Sequence, residues 1–176
     1  PSPLDVEIED IAHGLSRVAR WNGQTSGDWP ISVAEHSLIV EDALARLGPA
    51  TAAERLAALL HDAPEYVIGD MISPFKAALG YDYTLFEDRL AAAVHLRFGL
   101  PARLDARLKK RIKRADRASA YLEATQLAGF SPAEAAKFFG RPAFDGWEAI
   151  RLAPMPPGAA KAAFLARFEA LSAGAG

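Results

Sequence analysis

The 176-residue sequence contains no cysteine. That excludes a disulfide framework, thiolate metal ligands and a nucleophilic thiol, and it suits a reducing compartment. No apolar run approaches the roughly 20 residues that span a bilayer, and no basic start followed by an apolar segment marks a secretory leader. The expectation is therefore a cytoplasmic chain with no membrane role. An excess of one charge is also missing, because 20 Lys and Arg stand against 22 Asp and Glu for a formal charge of -2. Nucleic acid is thus not an expected partner, and any positive field has to be local. Period-two alternation, internal repeats and long linkers are absent too, which argues against strands and against repeat architectures.

What is present reads as one all-α domain. Hydrophobic residues make up 51% and charged residues 24%, enough apolar surface to build a substantial core. Apolar residues recur at helical spacing from Ile8, and that first helix is expected to end in Arg20-Trp21-Asn22-Gly23. Three hydroxyl residues followed three positions later by Glu (Ser32/Glu35, Thr51/Glu54 and Ser131/Glu134) predict helix starts by capping box. Further helices are expected from about Tyr83 to Phe98, from Pro101 to Leu127 or Ala128, over Phe144–Leu152 and over Pro157–Leu171, with a short amphipathic piece after Ser73-Pro74. The two closing helices add core and an oligomer surface, so a homo-oligomer is expected.

The stretch richest in chemistry is Leu59 to Asp70, LLHDAPEYVIGD. It places His61, Asp62, Glu65 and Asp70 within ten residues. Were Leu56 to Glu65 one helix, His61 and Glu65 would share a face while Asp62 projected about 100° away. The adjacent His-Asp pair can meet one ion only where a helix end or turn lets both side chains converge, and Pro64 disturbs the backbone there. The alternative is a helix C-terminus with a dipole-stabilised His and a solvated acidic turn. Arg20 and Trp21 offer a cation and a flat ring suited to an anion and a base, or else an exposed Arg beside a packing Trp. His95 has no chemically related neighbour in sequence and reads as structural. The basic run Arg107 to Arg117 reads mostly as a solvated face interrupted by Asp116 and Glu123.

Taken together, His36, His61, Asp62 and Asp116 form a mixed N/O set suited to a borderline or hard divalent ion, drawn from three helices. Their order, H…HD…D with gaps of 25 and 54 residues, resembles the HD-domain metal-dependent phosphohydrolases. Arg20-Trp21, Glu35-His36-Ser37, His61-Asp62-Ala63-x-Glu65, Gly69-Asp70 and Pro74-x-Lys76 extend the likeness to small bacterial and phage members that hydrolyse nucleotides. It covers about residues 8–127 of a single HD-type helical bundle over 1–176, leaving a C-terminal helical extension at about 131–172.

The resemblance implies that His36, His61, Asp62 and Asp116 hold a divalent ion (Mn, Co, Zn or Mg). It further implies that Glu65 orients or deprotonates water, that Asp70 protonates the leaving 5' oxygen, that Arg20 and Lys76 bind phosphate and that Trp21 packs on base or sugar. The expected partner is a small-molecule nucleotide and the expected activity a 5'-nucleotidase on deoxynucleoside monophosphates. The alternatives are a deoxynucleoside triphosphate triphosphohydrolase, favoured if the basic run borders the pocket, and a non-catalytic nucleotide sensor on the same scaffold.

Overall fold

Apolar residues at helical spacing, started by hydroxyl caps, build this chain from helices. The computed structural model describes residues 1–71 and 81–174. Its helices are α1 (Ile8–Leu15), α2 (Val33–Arg46), α3 (Ala52–Leu59), α4 (Glu65–Ile68), α5 (Tyr81–Arg97), α6 (Ala106–Gln126), α7 (Pro132–Phe139) and α8 (Pro157–Ala173). Three-residue or four-residue 3-10 turns lie at Pro3–Asp5, Arg20–Gly23 and Trp147–Ala149. There is no strand among the described residues; one isolated bridge pairs Ala19 with Ser32. Nor is any helix among them long and apolar enough to cross a membrane. The all-α single-domain expectation holds.

All three capping boxes form, each hydroxyl accepting the amide of the Glu three residues on, whose carboxylate accepts the cap's own amide. Helix α2 is the axis of the bundle, packing on α6, α3, α8 and α1. Ile11, Leu15, Val33, Leu44, Leu56, Leu59 and Phe164 are closed to solvent at 1% exposure or less. Each such side chain contributes roughly 1.5–3 kcal/mol of burial. A buried carboxylate on α2, Glu41, is neutralised by Arg55 of α3 and Arg167 of α8.

Several boundaries differ from the sequence expectation. Helix α1 stops at Leu15, where the Ser16 hydroxyl bonds the His13 carbonyl at 2.9 Å, and Arg20–Gly23 forms a turn of its own. Helix α3 ends at Leu59 and does not run on to Glu65. Helix α6 starts at Ala106, because Asp105 Oδ1 accepts the Leu108 amide at 2.8 Å and so caps it; Pro101 sits in the preceding connection. The expected helix over 144–152 shrinks to Trp147–Ala149. There Gln126 of α6 takes over the backbone, donating to the Ile150 carbonyl and accepting from the Leu152 amide, both at 3.0 Å. The piece following Ser73-Pro74, with Lys76, lies outside the described residues.

Candidate metal centre

His36 enters from the first turn of α2, which its capping box fixes, and is fully buried. His61 and Asp62 come from the turn that joins α3 to α4. In that turn the amides of His61, Ala63 and Glu65 each reach back three residues, to Ala58, Leu60 and Asp62, at 3.3, 3.0 and 2.9 Å. This tightening releases the adjacent pair from helical divergence, so that His61 Nε2 lies 3.1 Å from Asp62 Oδ2. The ligand atoms of His36, His61 and Asp62 all lie within 4.8 Å of one another. Asp116 of α6 joins through His36, its Oδ1 standing 3.4 Å from His36 Nε2, while its Oδ2 accepts from Lys113 at 2.7 Å.

Each imidazole is fixed from behind. His61 Nδ1 lies 2.9 Å from the Ala58 carbonyl, which can only accept, so Nδ1–H donates to it and Nε2 is the atom turned toward Asp62. His36 Nδ1 lies 2.5 Å from Glu123 Oε1. Both Nε2 atoms are buried without a hydrogen-bond partner, yet Asp62 and Asp116 oxygens stand only 3.1–3.6 Å away. Buried imidazole nitrogens that face carboxylates without a hydrogen-bond partner are what a cation satisfies. The donor set therefore fits a divalent ion of the oxygen- and imidazole-preferring kind.

Electrostatics agree. Burial and Arg20 push the His36 imidazolium down, but Glu123 and Asp116 outweigh them and raise it to about 10. The centre thus keeps a positive charge at that nitrogen until a metal ion takes its place. Burial alone would raise Asp62 and Asp116; the histidines reverse this and hold both carboxylates well below their usual range.

Glu123, which sequence reasoning passed over, is the hub behind the centre. It has no exposed surface, and burial would raise it, but His36 and Arg20 hold it low and ionised. Besides His36, its Oε2 accepts the Trp21 indole N–H at 2.8 Å and the Arg20 Nε and Nη2 at 3.2 Å. Its seven-residue spacing from Asp116 puts both on one face of α6, the one signal that could have found it.

Arg20 and Trp21 are thus held within the protein. Burial opposes the Arg20 charge, but Glu123, Asp70, Asp62 and Asp116 keep it firmly protonated. Its Nη1 reaches Asp70 Oδ2 at 3.4 Å. The Trp21 ring packs on Phe130 and Phe139 at 5.7 and 5.8 Å. Trp21 and Asn22 have φ of 57° and 51°, left-handed backbone that non-glycine residues seldom adopt. The loop that holds them is closed at its base by Arg20 N to Ile31 O and Val33 N to Val18 O, both 2.9 Å. Glu65 begins α4 and is 3% exposed. Lys76 lies outside the described residues.

A cavity of about 390 Å³ opens beside the centre, with His61, Asp62 and Asp116 on its inner wall. His95, read as structural in the sequence, lines it from α5 and is buried. Burial lowers its imidazole, Ala102 carbonyl contact opposes this, and Lys109 adds to the lowering. Lys109 and Lys113, from the basic run, also line it.

No protein-family model matches the chain. It is similar to the uncharacterized protein RCAP_rcc00048 of Rhodobacter capsulatus, 61% identical over 174 residues, covering 97% of this chain and 88% of that protein. It is also similar to the uncharacterized protein YfdR of Escherichia coli K12, 31% identical over 168 residues, covering 96% of this chain and 85% of that one.

Proposed function

The chain belongs to the family that includes RCAP_rcc00048 and YfdR, and from that premise we propose that it is a divalent-metal-dependent phosphohydrolase of the HD type acting on (deoxy)nucleotides. The observation that carries this reading is the pair of buried Nε2 atoms on His36 and His61 that lack a hydrogen-bond partner, set against Asp62 and Asp116. A bound divalent ion would supply a water of lowered pKa and neutralise charge on a phosphate oxygen. Hydrolysis of a phosphate ester asks little else of the protein than alignment and charge.

His36, His61, Asp62 and Asp116 would hold the ion. Glu65, ionised beside a cation, would orient or deprotonate the attacking water. Asp70 would deliver a proton to the leaving oxygen, in competition with its ion pair to Arg20. Arg20 would present its guanidinium to phosphate together with Lys76, and Trp21 would set the edge of the nucleoside pocket. A deoxynucleoside 5'-monophosphate is the simplest substrate. The triphosphate is the second reading, and Lys109 and Lys113 on the cavity wall favour it.

A panel of deoxynucleoside mono- and triphosphates with Mn, Co, Mg and Zn, its products separated by chromatography, tests both. Inorganic phosphate from monophosphates supports the first, and free triphosphate supports the second. Glu65→Ala should keep the bound metal and lose on the order of 10²-fold or more in turnover. A Glu65→Ala protein as active as its parent removes Glu65 from the mechanism. No hydrolysis by a metal-loaded parent leaves only a nucleotide sensor.

A further inference from the structure

The cavity's lining brings His61, Asp62 and Asp116 of the centre together with Arg89 from α5, Arg103 from the α5–α6 connection and Lys109 from α6. Lys113 also lines it and is spent on Asp116 at 2.7 Å. No ion pair joins Arg89, Arg103 or Lys109 to a carboxylate among the described residues. In a chain of net charge -2, that is a local concentration of cations beside the one place where negative charge would be delivered.

Charge decides what it fits. Four cationic side chains face three carboxylates, Asp62, Asp88 and Asp116. A divalent ion in the centre raises the formal surplus of the lining to three positive charges. A single phosphate monoester brings about two negative charges at neutral pH and is matched by a divalent ion alone. A polyphosphate chain brings more, and its further phosphates need donors beyond the metal. Cations on flexible stems suit such a chain, because they can follow it as point charges without demanding one geometry. The cavity's volume also falls within the roughly 300–1,000 Å³ of small-molecule sites.

Resting on the metal-centre reading above, we propose that Arg103 and Lys109, with Arg89, form a polyphosphate subsite that takes the part of a nucleoside di- or triphosphate beyond the phosphorus at the metal. The subsite is distinct from Arg20, which is paired with Glu123 and Asp70. His95 lines the same cavity and is buried.

The test titrates inorganic tripolyphosphate and orthophosphate, each in excess Mg, into the full chain by calorimetry, and measures KM for a mono- and a triphosphate nucleotide. Tripolyphosphate should bind roughly ten-fold or more tighter than orthophosphate. Arg103→Ala and Lys109→Ala, both at exposed positions that leave the core intact, should each erase most of that preference and raise the triphosphate-to-monophosphate KM ratio by a similar factor. Lys110→Ala, on the same helix but off the cavity wall, is the control and should change neither. Equal affinities, no detectable tripolyphosphate binding, or a preference that survives in Arg103→Ala/Lys109→Ala overturns the subsite. The two proposals fail separately: a parent that hydrolyses monophosphates but shows no tripolyphosphate preference loses only the subsite, whereas a parent that hydrolyses neither loses the phosphohydrolase reading.

Discussion

Glu123 shows how one side chain ties Arg20 and Trp21 to the candidate metal centre, since it contacts His36 while holding both. Glu123→Gln keeps the shape but weakens the charge-assisted bond to His36 Nδ1–H. Its expected effect is a loss of metal affinity of about 10–100-fold, read by calorimetric titration with Mn, with a folded far-UV spectrum. Unchanged affinity would make Glu123 only a strut for the Trp21 loop. The candidate ligands His36, His61 and Asp62, which the structure brings together, were legible in sequence because a histidine and a His-Asp pair have few other reasons to occur in that order. Glu123 was not, because a glutamate in a basic helix looks like a surface residue answering its neighbours. Only the fold shows that its face of α6 turns inward. Arg20 and Trp21 were legible as a pair, but the partner that holds them is 103 residues away from Arg20, beyond any local pattern.

At the scale of elements, starts were easier to read than ends. A capping box is a local contract between two residues, so Ser32, Thr51 and Ser131 gave α2, α3 and α7 directly. Ends were settled by tertiary partners such as Gln126, or by turns such as residues 60–64, whose tightening is what lets His61 and Asp62 share one ion. Helix α4, which carries Glu65, is set by a close approach: a Cβ on Gly14 of α1 would stand 2.8 Å from the Tyr66 Cβ. Gly14→Ala therefore has to push α4 outward, at a cost of about 1–3 kcal/mol from overpacking. Thermal denaturation should show a midpoint several degrees lower, and turnover should fall with metal content unchanged. A midpoint equal to the parent's would show that α4 gives way freely.

For the whole molecule, the metal centre should set the pH dependence of stability. His36 is raised to about 10 in the folded chain from about 6.5 unfolded. With EDTA present, its contribution is complete below about pH 6.5 and is lost as pH rises toward 10. With saturating Mn the same nitrogen carries no proton in the folded chain, and above about pH 6.5 it carries almost none in the unfolded chain either, so that fall should vanish. At 100 times Kd the ion adds about 2.7 kcal/mol. Melting temperatures from pH 6.5 to 9 should fall with EDTA and stay nearly level with Mn, and parallel slopes would remove His36 as a ligand. The scaffold also sets an order of assembly. Every candidate ligand has been synthesised by residue 116, yet buried Glu41, on the helix that carries His36, shares its charge with Arg167 of α8. On the ribosome α2 must wait about fifty residues for its second counter-ion, so the centre matures only once α8 has emerged, and a nascent chain stalled before Arg167 would display every ligand and still hold metal poorly.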